Sequence, residues 1–325
     1  MGSLNLVPVT AEDYRRLAEK RLPRQFFDYI DSGSFDERTL KSNTEDFRRF
    51  RFAQRVMHDV SHIDTKTNVL GEDWTMPLAL APIGLGGLFA RRAEVQAKKA
   101  SDNFGLPFCL STVSVCSMEE VAAVSDKPFW FQLYMLRDRG AVDDLMSRAK
   151  AAGVKTLVFT IDLAVLGARY NDFRNGLSGY PSIWGKFRSG PLSFAMHPKW
   201  AYDVGVRGRP LLFGNLAPYV PKAKSVRDFT RWVHSQHDPS VTWKDIEWLR
   251  SIWDGKLVLK GILSGEDAVS AARAGADAIV VSNHGGRQLD DVSSTISLLP
   301  KVMQALEVYA GPTIDVLIDG GIRNG

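Results

Sequence analysis

A histidine and an arginine three positions apart lie in a glycine-rich segment that could carry proton-transfer chemistry. The segment reads AIVVSNHGGRQLD and spans residues 278–290. Its apolar start predicts a buried strand that delivers His284 and Arg287 into one loop. Imidazole exchanges protons near neutral pH, and guanidinium offers paired donors to a carboxylate. Taken alone, the segment is equally compatible with a surface histidine and arginine on a glycine-rich turn.

Polar or small residues also close the other apolar runs of the chain. These endings contain Ala81, Pro82, Ile83 and Gly84, then Ser111, Gln132, Tyr134, Thr160, Asp162 and Lys260, and finally Ser282, Asp319, Gly320 and Gly321. Barrel and doubly wound enzymes both place their sites at the carboxyl ends of parallel strands. We therefore expect these side chains to gather at one mouth of the fold.

Seven apolar runs alternate with helix-like stretches along most of the chain. The runs cover residues 78–82, 107–110, 129–134, 156–161, 257–262, 278–281 and 315–318. The helix-like stretches include residues 91–104, 140–152, 265–274 and 295–308. This alternation predicts an α/β fold with a parallel sheet covered on both faces. A Rossmann fold is the competing layout, but no G-x-G-x-x-G lies between a strand and a helix, so a (β/α)8 TIM barrel is favoured.

One barrel domain is expected to span residues 1–325. Residues 1–65 are interpreted as an N-terminal helical extension, with Thr10 and Asp13 in a capping arrangement. Residues 180–224 form an insertion after the fourth strand-like run. Because a closed barrel needs an eighth unit and only seven are visible, that unit is expected to be missing from this chain.

Composition sets broad limits on the protein's class. The chain has 325 residues, of which 45% are apolar and 24% charged, as expected for a globular protein with a large core. A net charge of +4 is too small to indicate nucleic-acid binding. Cys109 and Cys116 show neither disulfide nor metal-ligand spacing, so free thiols and no metal are expected. We also expect no secretory signal and no membrane span.

The insertion at residues 180–224 has an unusual composition. It holds seven basic residues against one acid, Asp203, together with eight aromatic residues. Its aromatics include Trp184, Phe187, Phe194, Trp200 and Phe213. No regular pattern of secondary structure is predicted for it. Interleaved basic and aromatic residues suit an anionic membrane surface. A lid or subunit interface, which uses the same residue types, is the alternative.

Six motifs in order carry a family resemblance that runs from about Thr10 to Gly325. They read LALAPIG, FWFQLY, LVFTIDL, LVLKGI, AIVVSNHGGRQLD and LIDGGIRNG. Together they resemble the FMN-dependent α-hydroxy acid dehydrogenase and oxidase family. STVSVCSMEEVA, LYMLRDRG and LGARY are similar to its bacterial quinone-linked L-lactate dehydrogenase subgroup. The resemblance implies FMN as the cofactor and oxidation of a small L-2-hydroxy acid, with L-lactate the expected substrate.

The resemblance also assigns roles to residues near the substrate. His284 matches the base that removes a proton from the 2-hydroxy acid, and Asp162 matches the carboxylate that orients it. Arg169 and Arg287 match the pair that holds the substrate carboxylate. The remaining two matches, Tyr134 and Tyr29, are phenols that hydrogen-bond the substrate. Core packing is the alternative role for Tyr29.

A second group of residues matches the family's cofactor site. Lys260 matches the cation beside the edge of the flavin ring where negative charge develops on reduction. The side chains that match contacts to the flavin ring are Ser111, Gln132 and Thr160. The backbone of Ala81, Pro82 and Ile83 matches a stretch that approaches the ring, and Ser282 is also assigned to the cofactor site. The ribityl and phosphate groups are matched by Asp319, Gly320, Gly321 and Arg323.

The sequence also gives expectations for the electron acceptor and the cellular location. Oxidases of the family usually carry Ala where Gly84 stands and several dehydrogenases carry Gly, so Gly84 favours an acceptor other than oxygen, although a tight turn also explains it. The resemblance to the quinone-linked subgroup implies that this acceptor is a membrane quinone or a similar carrier. The alternatives are a soluble oxidase that makes hydrogen peroxide and a non-catalytic FMN- or phosphate-binding barrel. We expect a homo-oligomer in peripheral contact with the cytoplasmic face of the inner membrane. A purely cytoplasmic location is the alternative.

Overall fold

A six-stranded parallel sheet forms the centre of the protein, whose computed structural model describes residues 7–178, 182–220, 222–223 and 226–324. A short antiparallel hairpin, β1 (Thr67–Val69) and β2 (Glu72–Trp74), precedes the sheet. The sheet strands are β3 (Cys109–Ser111), β4 (Trp130–Leu133), β5 (Thr156–Thr160), β6 (Lys256–Ile262), β7 (Ala278–Val281) and β8 (Asp315–Ile318). Each strand pairs with the next one in sequence, as successive βα units require.

Helices precede the sheet, separate its strands and fill much of the insertion. Those before the sheet are α1 (Ala11–Arg21), α2 (Arg24–Asp31), α3 (Arg38–Glu45), α4 (Gly86–Phe89) and α5 (Ala93–Phe104). Those between strands are α6 (Met118–Ala122), α7 (Arg139–Ala151), α8 (Tyr170–Arg174), α9 (Ile183–Phe187), α10 (Ser193–Met196), α11 (Pro198–Trp200), α12 (Val226–Gln236), α13 (Trp243–Ile252), α14 (Gly265–Arg273) and α15 (Thr295–Glu307). The predicted cap at Thr10 is confirmed, since its side chain and that of Asp13 bond each other's backbone N–H.

Burial on both faces of the sheet accounts for the continuous apolar runs. Every residue of β3, β4, β5 and β7 is buried. One face packs against the helices, and the inward face forms a smaller cluster that includes Trp74, Trp130, Val158, Val258 and Val280. A sheet with an apolar interior and helices outside is the layered arrangement of an α/β barrel. The predicted fold class is therefore confirmed.

The prediction of a full strand at residues 78–82 is wrong. Only Leu80 pairs there, in a single parallel bridge to Phe108. Pro77 and Pro82 flank it, and proline has no N–H to extend a ladder. Among the residues that the structure describes, no pairing joins β3 to β8, so the sheet is not closed.

Two other predictions need correction. Residues 1–65 are not helical throughout, because α3 is followed by a 3-10 turn (Asp46–Arg49) and residues 50–66 form no helix or strand. The insertion is not irregular, since it contains α9, α10, α11 and short helical turns, and its residues 180, 181, 221 and 224 lie outside the described residues. Cys109 and Cys116 are free and buried, as expected. No described helix is both long and apolar enough to cross a membrane.

Candidate active site

The loop after β7 presents His284 in a left-handed turn. Three successive residues, His284, Gly285 and Gly286, have φ values of 57°, 66° and 71°. Such values suit glycine but strain a histidine backbone. The Nδ1 atom of His284 lies 2.9 Å from Oδ1 of Asp162, which fixes the ring orientation. With Nδ1 donating to Asp162, the opposite nitrogen Nε2 is available as a base.

Two guanidinium groups meet at a single aromatic ring. The guanidinium carbons of Arg169 and Arg287 lie 4.8 Å and 5.1 Å from the centre of the Tyr29 ring. Arg169 donates to Oδ2 of Asp172 at 2.7 Å, whereas Arg287 donates to the Ser32 carbonyl at 2.6 Å. Within the described chain Arg287 has no carboxylate partner. The pair therefore carries unneutralised positive charge that suits an anion.

The pKa values of the two arginines are shifted in opposite directions. Burial, together with the nearby Arg169 cation, lowers the pKa of Arg287. Burial would also lower the pKa of Arg169, but Tyr29 and Asp172 outweigh it and leave that pKa raised. A bound anion would offset the cost of holding Arg287 charged.

Two phenol side chains, those of Tyr29 and Tyr134, line the same cavity. Tyr134 follows β4, and its backbone N–H donates to Oγ1 of Thr112 at 3.2 Å. Burial is the main cause that raises the pKa of Tyr134, so the phenol keeps its proton and can donate a hydrogen bond. Tyr29 lines the cavity as well, which places it at the site rather than in the core alone.

Lys260 is a buried cation held by two partners. Its ammonium group lies 2.7 Å from Oγ of Ser282 and 2.7 Å from Oδ2 of Asp319. Burial lowers the pKa of Lys260, but the Asp319 and Asp162 carboxylates outweigh this effect and raise it. Lys260 therefore remains charged although it is only 6% exposed.

Several buried polar atoms around the site have no partner within the described protein. The Ser111 hydroxyl donates to Oε1 of Gln132 at 3.0 Å, which leaves Nε2 of Gln132 without an acceptor. Oδ1 of Asp319 and Oδ2 of Asp162 are also unpartnered. Buried donors and acceptors are rarely left unpaired, so these atoms can bond the polar groups of a bound ligand.

The loop after β8 adopts a glycine-dependent conformation. Gly320 and Gly321 have φ values of 89° and 81°. A Cβ atom on Gly321 would lie 2.0 Å from the Asn43 carbonyl, which no side chain can tolerate. The side chain of Arg323 is exposed, and its Nη1 donates to the Ile322 carbonyl at 3.0 Å. The backbone of this loop and the Arg323 cation suit an anionic group such as a phosphate.

Most of the predicted site residues line one cavity of about 2090 Å³ that reaches from the mouth into the barrel interior. These are Tyr29, Ala81, Pro82, Ile83, Tyr134, Thr160, Arg169, Lys260, His284, Arg287, Asp319, Gly320, Gly321 and Arg323. The other four do not line it: Ser111 and Gln132 bond each other, and Ser282 and Asp162 support Lys260 and His284 from behind.

The sequence interpretation missed three supporting groups. Asp172 is 2% exposed and holds Arg169, and its position three residues after Arg169 could have indicated this pairing. Gln288 lines the cavity and accepts from the Gly167 N–H at 3.2 Å. Asn43 bonds Asn283 across 240 residues, which no local sequence pattern could have revealed.

A family model and curated sequence relatives point to the same family. The model of the FMN-dependent dehydrogenase family matches residues 18–325. The L-lactate dehydrogenase of Acinetobacter baylyi is 49% identical over 316 residues, covering 97% of this chain and 80% of that enzyme. The L-lactate dehydrogenase of Caulobacter vibrioides is 49% identical over 320 residues, covering 98% of this chain and 82% of that enzyme.

Solved structures agree with the sequence relatives. The monotopic membrane protein (S)-mandelate dehydrogenase superposes with a TM-score of 0.87 at 35% identity, covering 98% of this chain and 82% of that chain. The lactate oxidase of Pediococcus acidilactici gives a TM-score of 0.79 at 26% identity, covering 98% of this chain and 77% of that chain. Both dehydrogenases and oxidases are therefore built on this fold.

Proposed function

The chain belongs to the FMN-dependent dehydrogenase family, and on this premise we propose that it oxidises L-lactate to pyruvate and passes the electrons to a membrane quinone. FMN is its cofactor and a 2-hydroxy acid is its substrate. The observation that carries the proposal is the convergence of one imidazole and two guanidinium groups on a single cavity. The choice of lactate is supported by relatives at 49% identity that are L-lactate dehydrogenases.

The unpartnered buried atoms fit the polar groups of FMN. Nε2 of Gln132 would donate to a ring carbonyl, and Oδ1 of Asp319 would accept from a ribityl hydroxyl. Lys260 would lie beside the ring edge that becomes negative, and Arg323 with the loop after β8 would hold the phosphate. FMN, when bound, supplies the two-electron acceptor for the oxidation.

Substrate positioning falls to the two arginines. Arg169 and Arg287 would each donate to the carboxylate of the 2-hydroxy acid, and such charge-assisted bonds are about twice as strong as neutral ones. Because both guanidinium groups pack on Tyr29, their directions are fixed before the substrate arrives. The hydroxyls of Tyr29 and Tyr134 would add hydrogen bonds that orient the second carbon.

Proton removal falls to His284. Its Nε2 atom would take a proton from the 2-hydroxy acid, which leaves a positively charged imidazolium ring. Asp162 stabilises that cation through the 2.9 Å contact with Nδ1 and keeps the ring in the productive tautomer. The same contact prevents rotation of the ring away from the cavity.

A visible spectrum with anaerobic substrate tests the proposed reaction. We expect the purified protein to show a flavin spectrum that bleaches on addition of L-lactate, because two electrons enter the flavin. D-lactate should leave the spectrum unchanged, since the cavity presents its base and its two arginines in one fixed arrangement. A flavin spectrum that L-lactate does not bleach would refute lactate oxidation.

The preference for a quinone over oxygen is tested at Gly84. A Cβ atom there would lie 2.9 Å from Cγ2 of Val113 and 3.9 Å from the Tyr29 hydroxyl, so a methyl group would narrow this part of the cavity. We expect Gly84→Ala to raise the ratio of peroxide formation to quinone reduction by about tenfold, or ~1.4 kcal/mol. Rapid peroxide formation by the unmodified protein would favour the oxidase alternative.

Exposed apolar residues of the insertion support contact with a membrane. Ile183 is 86% exposed and Trp184 is 76% exposed, and Lys199 and Arg207 are exposed in the same insertion. Trp200, in contrast, is buried in a core cluster, so only part of the aromatic set predicted for this role is available to lipid. This surface would place the enzyme at the cytoplasmic face of the inner membrane, where a quinone is accessible.

Vesicle flotation tests the membrane contact. The double substitution Ile183→Ser and Trp184→Ser should weaken binding to anionic vesicles by about 10- to 100-fold, because each side chain buries apolar area in lipid. Val308→Ser, at an 80% exposed position after α15, is the matched control and should not change binding. Equal losses in both variants would contradict the assignment. Excision of residues 180–224 is unsuitable, because it would remove buried Trp200.

Light scattering of the same protein preparations, before vesicles are added, would test the expected homo-oligomer.

A further inference from the structure

Two buried asparagines from opposite ends of the chain form a reciprocal amide pair. Nδ2 of Asn43 donates to Oδ1 of Asn283 at 2.8 Å, and Nδ2 of Asn283 donates to Oδ1 of Asn43 at 2.8 Å. The two side chains are 1% and 3% exposed. A buried amide is costly unless it is fully paired, so this arrangement holds both side chains in one orientation.

Asn283 makes further hydrogen bonds that hold the turn containing His284. Its Oδ1 accepts the Gly286 N–H at 3.1 Å, and its backbone carbonyl accepts the same N–H at 3.0 Å. Its Nδ2 also contacts the Ser293 carbonyl at 3.3 Å. These bonds close the turn from residue 283 to residue 286 over the left-handed backbone of His284. The turn costs free energy at His284, so it needs such external support.

Helix α3 packs directly against this turn. A Cβ atom on Gly286 would lie only 2.5 Å from the Leu40 nitrogen. The Asp290 carboxylate accepts backbone N–H groups of Thr39 at 2.8 Å and of Asp36 at 3.1 Å. The N-terminal extension therefore forms the support on which the loop after β7 rests.

The same pair also contacts the loop after β8. The backbone carbonyl oxygen of Asn43 lies 2.0 Å from the position that a Cβ of Gly321 would take, and Oδ1 of Asn43 accepts the Thr295 N–H at 3.4 Å. Thr295 in turn donates its hydroxyl to the Asp319 carbonyl at 2.6 Å. A single amide pair thus connects the loop that carries the base with the loop that carries Asp319.

We propose that Asn43 and Asn283 are positioning residues for the reaction. They hold the His284 turn so that Nδ1 of the imidazole meets Asp162 and Nε2 is free to take the proton, and they set the loop after β8 against the cofactor. In this view α3, whose Leu40 also lines the cavity, belongs to the active-site machinery. The kinetic test of this inference rests on the proposed function, whereas the FMN-binding test is independent of the substrate.

The test uses Asn43→Ala, Asn283→Ala and the double variant. Each single change should lower kcat for L-lactate with a dye acceptor by about 10- to 100-fold, because the loss of paired buried bonds releases the His284 turn. The KM should change by less than about threefold, since both arginines remain. The double variant should be no more than about threefold slower than the slower single variant, because the pair acts as one unit.

Binding of FMN to the apoprotein, followed by flavin fluorescence, gives the second measurement. We expect the Kd to rise about 3- to 10-fold in each single variant. Lys41→Ala, at an exposed position of α3, should change neither kcat nor Kd. Additive losses in the double variant, or lower melting temperatures with unchanged kcat, would overturn the proposal. If the unmodified protein binds FMN but is not reduced by L-lactate, the proposed function fails, and the FMN titration still tests the pair.

Discussion

Replacing His284 by glutamine is expected to lower kcat for L-lactate by about 10²–10⁴-fold while FMN remains bound. Glutamine resembles imidazole in reach, but it cannot take a proton at neutral pH. None of the groups proposed to hold FMN is altered, because Lys260, Gln132 and the loop after β8 do not depend on the imidazole. Steady-state turnover and the flavin spectrum of the same sample measure both parts of the prediction.

A second histidine of the cavity provides the matched control. His234 is exposed and lines the same cavity, so His234→Gln should leave kcat within about twofold. The melting temperature of each variant shows whether the left-handed turn has tolerated the change at position 284. A folded, flavin-containing His284→Gln variant with near-normal turnover would contradict the assignment of the base.

Replacing Lys260 by methionine should lower both stability and turnover. The substitution leaves Asp319 without its cation in a mostly buried site, and breaking such a pair costs about 3–5 kcal/mol. The cation that would stabilise negative charge on the cofactor is also lost, which should lower kcat by about 10²–10³-fold. Chemical denaturation and flavin reduction rates measure the two effects separately.

A double substitution separates these two roles of Lys260. Lys260→Met combined with Asp319→Asn removes both charges, so stability should recover by most of the loss while turnover stays low. Lys256→Met is the matched control, because Lys256 also pairs with a carboxylate at 2.9 Å but its side chain is 47% exposed. It should cost no more than about 1 kcal/mol. Full recovery of turnover in the double variant would show that Lys260 has only a structural role.

The sequence predicted the later part of the sheet closely. The apolar runs 278–281 and 315–318 coincide with β7 and β8, and the run 257–262 lies within β6. β7 and most of β6 are buried between layers on both sides, and β8 is half-buried, so burial produces a continuous apolar pattern that can be seen without coordinates. The prediction of a strand at residues 78–82 was wrong because it relied on apolar composition alone. Two prolines in this region lack the backbone N–H groups that a ladder of hydrogen bonds needs, and only a single bridge forms.

The insertion shows a different limit of sequence reasoning. Trp184 and Trp200 belong to the same aromatic and basic segment, yet one is 76% exposed and the other 5%. The N–H of the Trp200 ring donates to the Leu88 carbonyl at 2.7 Å, a contact with a residue 112 positions away. Composition could therefore suggest a membrane surface but could not identify which residues form it.

The sequence by itself determined the alternation of strands and helices, the residue types at the strand ends, and a histidine and arginine in one loop. Local burial and chemistry are encoded in neighbouring residues, so a pattern can carry them. Only the tertiary structure decided that Arg169 and Arg287 share the Tyr29 ring and that helix α3 supports the His284 turn. Those relations join residues separated by more than a hundred positions, and packing of the whole chain selects them.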